Sequence, residues 1–395
     1  MSAPSALIAG WARSAVVPHA GAFGQLAAHE IGAPVLQGLL ERAGLPAAAV
    51  DALVVGNALG AGGNPARMLA LAAGLPEACA TYSVDTQCCA GLDAVTLAVG
   101  LLASGQASVV VAGGVEAWSR APIRQHRPRH PGEAAIAYER PAFAPDPKRD
   151  PDMLVSAARY ALQAAWTRDQ QDRYTVQSHA LARAHMANAA SEIVPVVGVT
   201  HDLGPRSLDL ARVARMPAAV KARDLGGEWA AMQARHPDRS VGPLGISGKA
   251  DGAAWVLLAS ADACDRLGLK PQARWLTSAS VGTAPETPLL AAEVAARAAM
   301  ARSGLGDAGT FAAVELHDAF AVQGLSFLHA LSLDPQRVNR RGGGLARGHP
   351  IGASAAVALV RLLADLVLDG VAGDLGMTAV AGAGGIGAAA IVQRL

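Results

Sequence analysis

One pattern occurs twice in this chain, and it limits the fold more than any other feature of the sequence. A long helix of small residues opens at a glycine-containing turn, and a strand that ends in glycines follows it. The first copy reads "CCAGLDAVTLAVGLLASG" and then "VVVAGG", and the second reads "HPIGASAAVALVRLLADL" and then "TAVAGAGG". Strand and helix units that repeat in this way predict a duplicated α/β fold with a parallel sheet.

The two copies are separated by a segment of different character. It begins with a stretch rich in proline and arginine, "SRAPIRQHRPRHPGE", and continues into helical sequence that starts at a capping box formed by Thr167 and Gln170. We therefore predict 1–118 as the first part of an N-terminal core half and 119–246 as an inserted, partly helical loop domain. Residues 247–268 then return to the N-terminal half, and 269–395 form the C-terminal half.

Composition narrows the functional class. The 395 residues are 52% hydrophobic and 16% charged, with a formal net charge of +1, which gives no general reason to expect nucleic acid or an anionic membrane as a partner. The N-terminus has no basic region followed by a hydrophobic stretch, so a cytoplasmic location is expected. The four cysteines show no zinc-site spacing, and no metal is predicted.

Two adjacent cysteines, Cys88 and Cys89, lie where an apolar β-like run gives way to the first small-residue helix. Free N–H groups and the positive end of the helix dipole at such a junction favour a thiolate, the reactive form of cysteine. In the second copy His349 precedes the helix, in a loop that glycines and Pro350 restrict. His317 follows an apolar strand directly, at the carboxyl end where open α/β sheets bind ligands.

These residues resemble the motifs of the thiolases, including the sterol-carrier-type branch. The matching stretches run through nearly the whole chain in order; among them are "QCCAGLDAV", "VVAGGVEAWSRAP", "SGKADGAA", "ELHDAFA", "GGGLARGHPIGAS" and "AGAGGIG". The resemblance implies two βαβαβαββ halves in a layered α-β-α-β-α core, an acyltransferase activity on acyl-CoA, and no cofactor beyond the CoA thioester itself. It also implies a homodimer or homotetramer.

The resemblance also assigns roles. The family's nucleophile is followed by Gly-Leu at the spacing that selects Cys88 and leaves Cys89 as packing. His349 would be the base that activates Cys88. His317 stands where many thiolases carry an asparagine and sterol-carrier-type members a histidine. The backbone N–H groups of Cys88 and Ala383 would serve oxyanion holes.

The inserted domain and the strand after it would supply CoA contacts. By the same resemblance, Ser247 would touch the pantetheine arm of CoA, and Met153 would lie near that arm. The histidine that many members carry beside this methionine is Asp152 here, which leaves the shape of the acyl pocket open.

The chain departs from the family at Ala381, where most members carry a second cysteine that moves the α-proton of the second acyl-CoA. Alanine cannot transfer a proton. Three hypotheses therefore stay open: a thiolase-like acyltransferase in which His317 or water replaces that cysteine, a condensing or acyl-transfer enzyme of secondary metabolism that uses Cys88, His317 and His349, and a thiolase-like subunit that acts with a partner protein.

Overall fold

A computed structural model describes residues 6–60 and 63–395; the predicted first domain thus includes seven positions outside this range. The described strands are β1 (Leu7–Arg13), β2 (Val17–Pro18), β3 (Ala52–Gly56), β4 (Ala80–Val84), β5 (Val109–Ala117), β6 (Arg124–His126), β7 (Ile136–Tyr138), β8 (Ala250–Ala259), β9 (Ala273–Gly282), β10 (Phe311–His317), β11 (Leu375–Gly382) and β12 (Ile386–Arg394). The helices are α1 (Ala28–Ala43), α2 (Pro65–Ala72), α3 (Ala90–Ala103), α4 (Met153–Gln163), α5 (Arg168–Ala184), α6 (Leu210–Ala214), α7 (Ala222–Leu225), α8 (Gly227–Arg235), α9 (Ala261–Leu267), α10 (Ala291–Ser303), α11 (Ala321–Ala330), α12 (Gly344–Arg347) and α13 (Ser354–Asp369).

The main sheet shows the duplication that the sequence pattern predicts, but the prediction of a parallel sheet is wrong in part, because the sheet is mixed. Of its described strand pairs, β10–β11, β3–β4 and β3–β5 are parallel. The other pairs are antiparallel, as in β11 and β12, which a short turn connects.

The order of this sheet is β10-β11-β12-β9-β1-β8-β5-β3-β4. From β1 the N-terminal half continues outward through β8, β5 and β3, and from β9 the C-terminal half continues through the corresponding strands β12, β11 and β10. The halves join where β1 and β9 pair at Leu7 and Ile8. They differ at the edge farthest from this join. The N-terminal half ends in a complete strand, β4, whereas the C-terminal half has only a bridge between Val338 and Val314 at the matching position.

Helices lie on both faces of the halves and between them. α1 and α2 cover the outer face of the N-terminal half, and α10 covers the outer face of the C-terminal half. The two small-residue helices α3 and α13 lie in the middle and contact each other and both halves. Both central helices have apolar residues on most of their surface because both are buried on several sides.

Glycines allow the two halves to approach closely beside these central helices. A Cβ placed on Gly114 would lie 2.0 Å from the carbonyl oxygen of Gly352, and one placed on Gly91 would lie 2.9 Å from the same oxygen and from Ala356 Cβ. No side chain fits at either position without backbone movement. The small residues in the sequence pattern therefore bring the starts of α3 and α13 together.

The inserted segment leaves the sheet after Ala117 and returns to it at Ala250. Buried Arg13 of β1 holds it through ion pairs to Glu192, at 2.7 Å, and to Asp202, at 2.6 Å. Helix α5 also bonds to the C-terminal half, since the Tyr174 hydroxyl donates to Asp318 at 2.8 Å. The division into separate domains at these points stays a prediction.

One helical segment of the described chain, Ile351–Asp369, is long and apolar enough to cross a membrane by length and composition. Most of it is buried inside the protein, and Arg361 within it forms ion pairs with Glu192 and Asp365. Its apolar character therefore follows from its place in the core between the two halves.

Candidate active site

Cys88 lies in a short 3₁₀ turn, Gln87–Cys89, between the end of β4 and the start of α3. Gln87 has φ +52°, a left-handed conformation that is strained for a residue with a side chain. The carboxylate of Asp85 accepts the Gln87 backbone N–H at 2.9 Å and supports this turn. The turn directs Cys88 inward, with only 7% of its surface exposed.

His349 approaches Cys88 from the C-terminal half. Its backbone N–H donates to the carbonyl of Gly248 at 2.7 Å, which attaches the loop to the segment that precedes β8. Gly348, with φ +115°, turns the chain just before it. The Nε2 atom of His349 then lies 3.2 Å from Cys88 Sγ, although 261 positions separate the two residues in the chain.

A chain of hydrogen bonds fixes the tautomer of His349. The carbonyl of Pro350 can only accept, so the Ser354 hydroxyl that lies 3.1 Å from it donates its proton there. The same hydroxyl oxygen, 2.7 Å from His349 Nδ1, therefore accepts the Nδ1 proton. Nε2 is left without a proton and can accept one from Cys88.

His317 completes a cluster of three reactive side chains. Its ring stacks on the His349 ring with centroids 4.4 Å apart and planes 26° apart. The backbone of Gly344 packs against the His317 ring so closely that a Cβ there would lie 2.4 Å from Nδ1. Buried His317 Nε2 has no hydrogen-bond partner within the described residues. The predicted trio is thus brought together by the fold.

Burial, more than the helix dipole, sets the charge of this cluster. Desolvation raises the pKa of the Cys88 thiol to about 12, against a smaller lowering by the backbone N–H groups of Ala383 and of Cys88 itself. Burial lowers the pKa of His349 to about 4 and holds that of His317 well below its usual value. The expectation of a resting thiolate is therefore wrong: at neutral pH this is a thiol beside two neutral imidazoles.

The end of β11 lies against the nucleophile turn, as the oxyanion prediction requires. The Ala383 N–H is close enough to Cys88 Sγ to lower the pKa of the thiol. Ala381 is buried, 4% exposed, two residues earlier. Cys89 Sγ is 3.9 Å from the carbonyl of Val380 and is enclosed. Cys79 and Cys264 are buried in the hydrophobic cluster on the outer face of the N-terminal half, away from Cys88.

The two residues predicted to contact CoA occupy different surroundings. Ser247 adjoins the cluster: its hydroxyl donates to the carbonyl of Gly344 at 2.7 Å, and its N–H donates to the carbonyl of Ala319 at 2.8 Å. Met153 starts α4 and packs against the inserted domain's core, which includes Phe320, three residues after His317. Their contact with CoA stays a prediction.

Sequence reasoning missed the residues that hold the cluster in place. Ser354 orients His349, and a hydroxyl five residues after His349 at a helix start was the available signal. Buried Glu116 accepts N–H groups from Asn57, from Ala58 and from Gly352, at 2.8, 2.9 and 3.0 Å, and so connects the two halves. Its position inside an apolar strand was the available signal. Among residues 6–60 and 63–395, no group of side chains is arranged to hold a metal ion.

Comparisons with known proteins agree with this fold and with these motifs. Residues 6–262 match the model of the thiolase N-terminal domain, and residues 269–394 match that of the thiolase C-terminal domain. The chain is 35% identical over 408 residues to an acetyl-CoA acetyltransferase of Rhizobium meliloti and 34% identical over 412 residues to one of Shinella zoogloeoides, with 100% of each chain covered.

Two solved structures have the same fold. The crystal structure of the acetyl-CoA acetyltransferase of Bacillus anthracis superposes with a TM-score of 0.88 at 28% identity, over 99% of each chain. A thiolase of Ascaris suum in complex with coenzyme A superposes with a TM-score of 0.87 at 29% identity, over 99% of this chain and 100% of that one. The predicted thiolase fold is confirmed, and the chain belongs to the thiolase family of acyltransferases.

Proposed function

We propose that this protein transfers acyl groups from CoA thioesters through an acyl-Cys88 intermediate. The observation that carries the proposal is the contact of 3.2 Å between Cys88 Sγ and His349 Nε2. CoA thioesters are the donors to expect because the relatives above are named acetyl-CoA acetyltransferases and one structural neighbour holds coenzyme A.

The first half-reaction follows from the neutral Cys88–His349 pair. Cys88 Sγ attacks the thioester carbonyl carbon while its proton passes to His349 Nε2. The carbonyl oxygen gains negative charge, which backbone N–H groups near the thiol stabilise. The bond from that carbon to the CoA sulfur then breaks, and the proton on His349 goes to the sulfur. CoA leaves as a thiol, and the acyl group stays on Cys88.

The second half-reaction needs a new acceptor for the acyl group. In Claisen condensation a base removes an α-proton from a second acyl-CoA, and Ala381 cannot do this. His317 is the candidate base, because its ring is neutral and stacked on His349, and its Nε2 has no partner among the described residues. Thiolysis is the reverse of the same step, so it would require the same group as an acid.

A second candidate function is favoured by the combination of Ala381 with two stacked imidazoles. A carbanion formed by loss of carbon dioxide requires no α-proton base, and acyl transfer to an oxygen or nitrogen nucleophile requires none either. Under this alternative Cys88, His317 and His349 act without ordinary thiolysis. A third possibility, a thiolase-like subunit that acts with a partner protein, would involve no acylation of Cys88.

Mass spectrometry of the intact protein separates these functions at the acylation step. Incubation with acetyl-CoA should add one acetyl group, and peptide mapping should place it on Cys88. No adduct with acetyl-CoA, butyryl-CoA or malonyl-CoA would refute the enzyme proposal and leave the partner-subunit hypothesis.

Deuterium exchange then tests the second half-reaction. If His317 is the base, the protein should incorporate deuterium from heavy water into acetyl-CoA, and His317→Ala should abolish the incorporation. No exchange by the wild type, with product formed only from malonyl-CoA or a non-CoA acceptor, would favour the second candidate. In that case Ala381→Cys should introduce exchange and condensation, since a general base contributes about 10²–10⁴-fold.

We also propose that the protein is a homo-oligomer, as the family resemblance implies. Strand β4 is the last strand at its edge of the described sheet, and most of its residues are exposed, including Tyr82 at 44%. An exposed edge strand of this kind can pair with a second chain. Light scattering after gel filtration should give at least twice the mass of one chain, and a monomer would refute the proposal.

A further inference from the structure

We propose that Lys249 selects acyl groups that end in a carboxylate. The inference rests on the proposed acyl-Cys88 chemistry and adds a substrate class to it. The preferred donors would be CoA thioesters of short dicarboxylic acids, with the free carboxylate of the acyl group bound by the Lys249 ammonium.

Backbone pairing places Lys249 beside the reactive cluster. Lys249 and His349 form a parallel bridge, held by the hydrogen bond of 2.7 Å from the His349 N–H to the carbonyl of Gly248. Residues paired in this way carry their side chains on the same face of the strand pair. The Lys249 side chain therefore starts next to the imidazole that contacts Cys88.

An aromatic ring bridges the space between the ammonium and the imidazole. Lys249 Nζ lies 5.0 Å from the centre of the Trp118 ring, a cation–π distance. The Trp118 ring in turn lies 6.4 Å from the His349 ring, tilted by 59°. The Lys249 ammonium thus neighbours the Trp118 ring, which neighbours the His349 ring, and His349 Nε2 contacts Cys88.

The Lys249 ammonium is available for a ligand. Lys249 is exposed, and within residues 6–60 and 63–395 no carboxylate lies within ion-pair distance of it. The nearby carboxylate of Asp251 is buried and already accepts the N–H and the hydroxyl of Ser119, at 2.9 and 2.5 Å. The Lys249 ammonium at the Trp118 ring is therefore not neutralised by an ion pair within the described residues.

The position of this charge indicates which anion it binds. The phosphates of CoA lie at the far end of the pantetheine arm from the thioester, whereas the Lys249 ammonium lies on the Trp118 ring that neighbours His349. A carboxylate at the end of a short acyl chain stays close to the thioester, so it is the anion that we expect at an ammonium near this cluster. Lysine offers it three N–H donors and a full charge, and the Trp118 face supports the methylenes of the chain.

Succinyl-CoA and butyryl-CoA provide a matched test, because their acyl groups have equal length and differ only in a terminal carboxylate or methyl group. The measurement is the rate constant for acylation of Cys88, followed by intact mass, and the result is the ratio of succinyl to butyryl rate constants. Any general effect of a substitution on Cys88 reactivity cancels in this ratio.

Lys249→Met should lower the ratio about tenfold, the effect of one charge-assisted hydrogen bond. Lys249→Arg should keep most of it, and higher ionic strength should reduce it in the wild type. Lys270→Met removes the same charge from an exposed position beyond α9 and should leave the ratio unchanged.

An unchanged ratio in Lys249→Met would overturn the inference while leaving the acyl-Cys88 proposal intact. A wild-type protein that accepts butyryl-CoA and excludes succinyl-CoA would do the same. If neither thioester, nor acetyl-CoA, acylates Cys88, the proposed function itself fails, and the inference fails with it.

Discussion

The two halves of the core have the same strand order, but they supply different parts of the active site. In the N-terminal half the edge strand, β4, is complete and leads into the turn that presents Cys88. In the C-terminal half a single bridge at Val338 takes the place of that strand. The chain beyond it, which includes the short helix α12, presents His349, and β10 of the same half presents His317.

This difference shows how a duplicated fold can carry reactive residues that are not duplicated. The sheet order and the paired central helices α3 and α13 are common to both halves, and they set the distance between the two helix starts. The reactive groups themselves lie in turns and strand ends, which can differ between halves without changing the core. The thiol of the cluster therefore comes from one half and both imidazoles from the other.

Removing the nucleophile tests the part assigned to the N-terminal half and should have the largest effect. Cys88→Ser should abolish acylation by acetyl-CoA, because a hydroxyl is a much weaker nucleophile beside this neutral base. Cys89→Ser should still be acylated at Cys88. Intact mass and peptide mapping give the result, and an adduct on Cys89 in the wild type would reverse the assignment.

His349→Ala tests the part assigned to the C-terminal half. We expect acylation to slow by about 10²–10⁴-fold, the usual contribution of a general base. The pH dependence is the sharper measurement. The neutral form of His349 exists above its pKa of about 4, so alkylation of wild-type Cys88 by iodoacetamide should change little between about pH 6 and pH 9.

In the His349→Ala protein, alkylation would depend on the thiolate of Cys88, whose pKa burial raises in the wild type, so its rate should rise with pH by up to about tenfold per pH unit. A wild-type rate that rises in the same way would show that His349 does not accept the proton of Cys88.

Ser354→Ala tests how the C-terminal half orients its imidazole, with a smaller expected effect. Without the hydroxyl that accepts the Nδ1 proton, His349 can place a proton on Nε2 and no longer accept one from Cys88. We expect acylation to slow about tenfold, the scale of one lost hydrogen bond to a reacting group. A rate equal to that of the wild type would remove Ser354 from this positioning role.

Glu116→Gln tests the contact between the halves and should mainly change stability. An amide cannot accept from Asn57 and also from Ala58 and Gly352 as the carboxyl does, so we expect a loss of about 1–3 kcal/mol in unfolding free energy near pH 5. Urea unfolding measures it.

The stability difference between wild type and Glu116→Gln should depend on pH. Burial raises the pKa of Glu116 from its usual 4.5 to about 7, so the folded state holds this proton more tightly than the unfolded state. The stability that Glu116 contributes through this proton is fully present below about pH 4.5 and is lost as the pH rises through about 7. The difference between the two proteins should therefore shrink over this range, and a constant difference would contradict it.

The sequence by itself predicted the duplication, and its resemblance to the thiolases selected Cys88, His349 and His317 as candidate site residues. These conclusions depend on local patterns, because strand and helix periodicity, glycine turns and motif spacing are properties of neighbouring residues. The departure at Ala381 follows from the same resemblance.

Tertiary structure alone decided the distances and the charges. The fold places Lys249 and Trp118 beside His349, and Glu116 between the halves, although these residues are far apart in the chain. Burial reversed the expected charge of Cys88, because desolvation outweighs the favourable field of a helix start. Desolvation depends on every atom packed around a group, and no local pattern in a sequence records that packing.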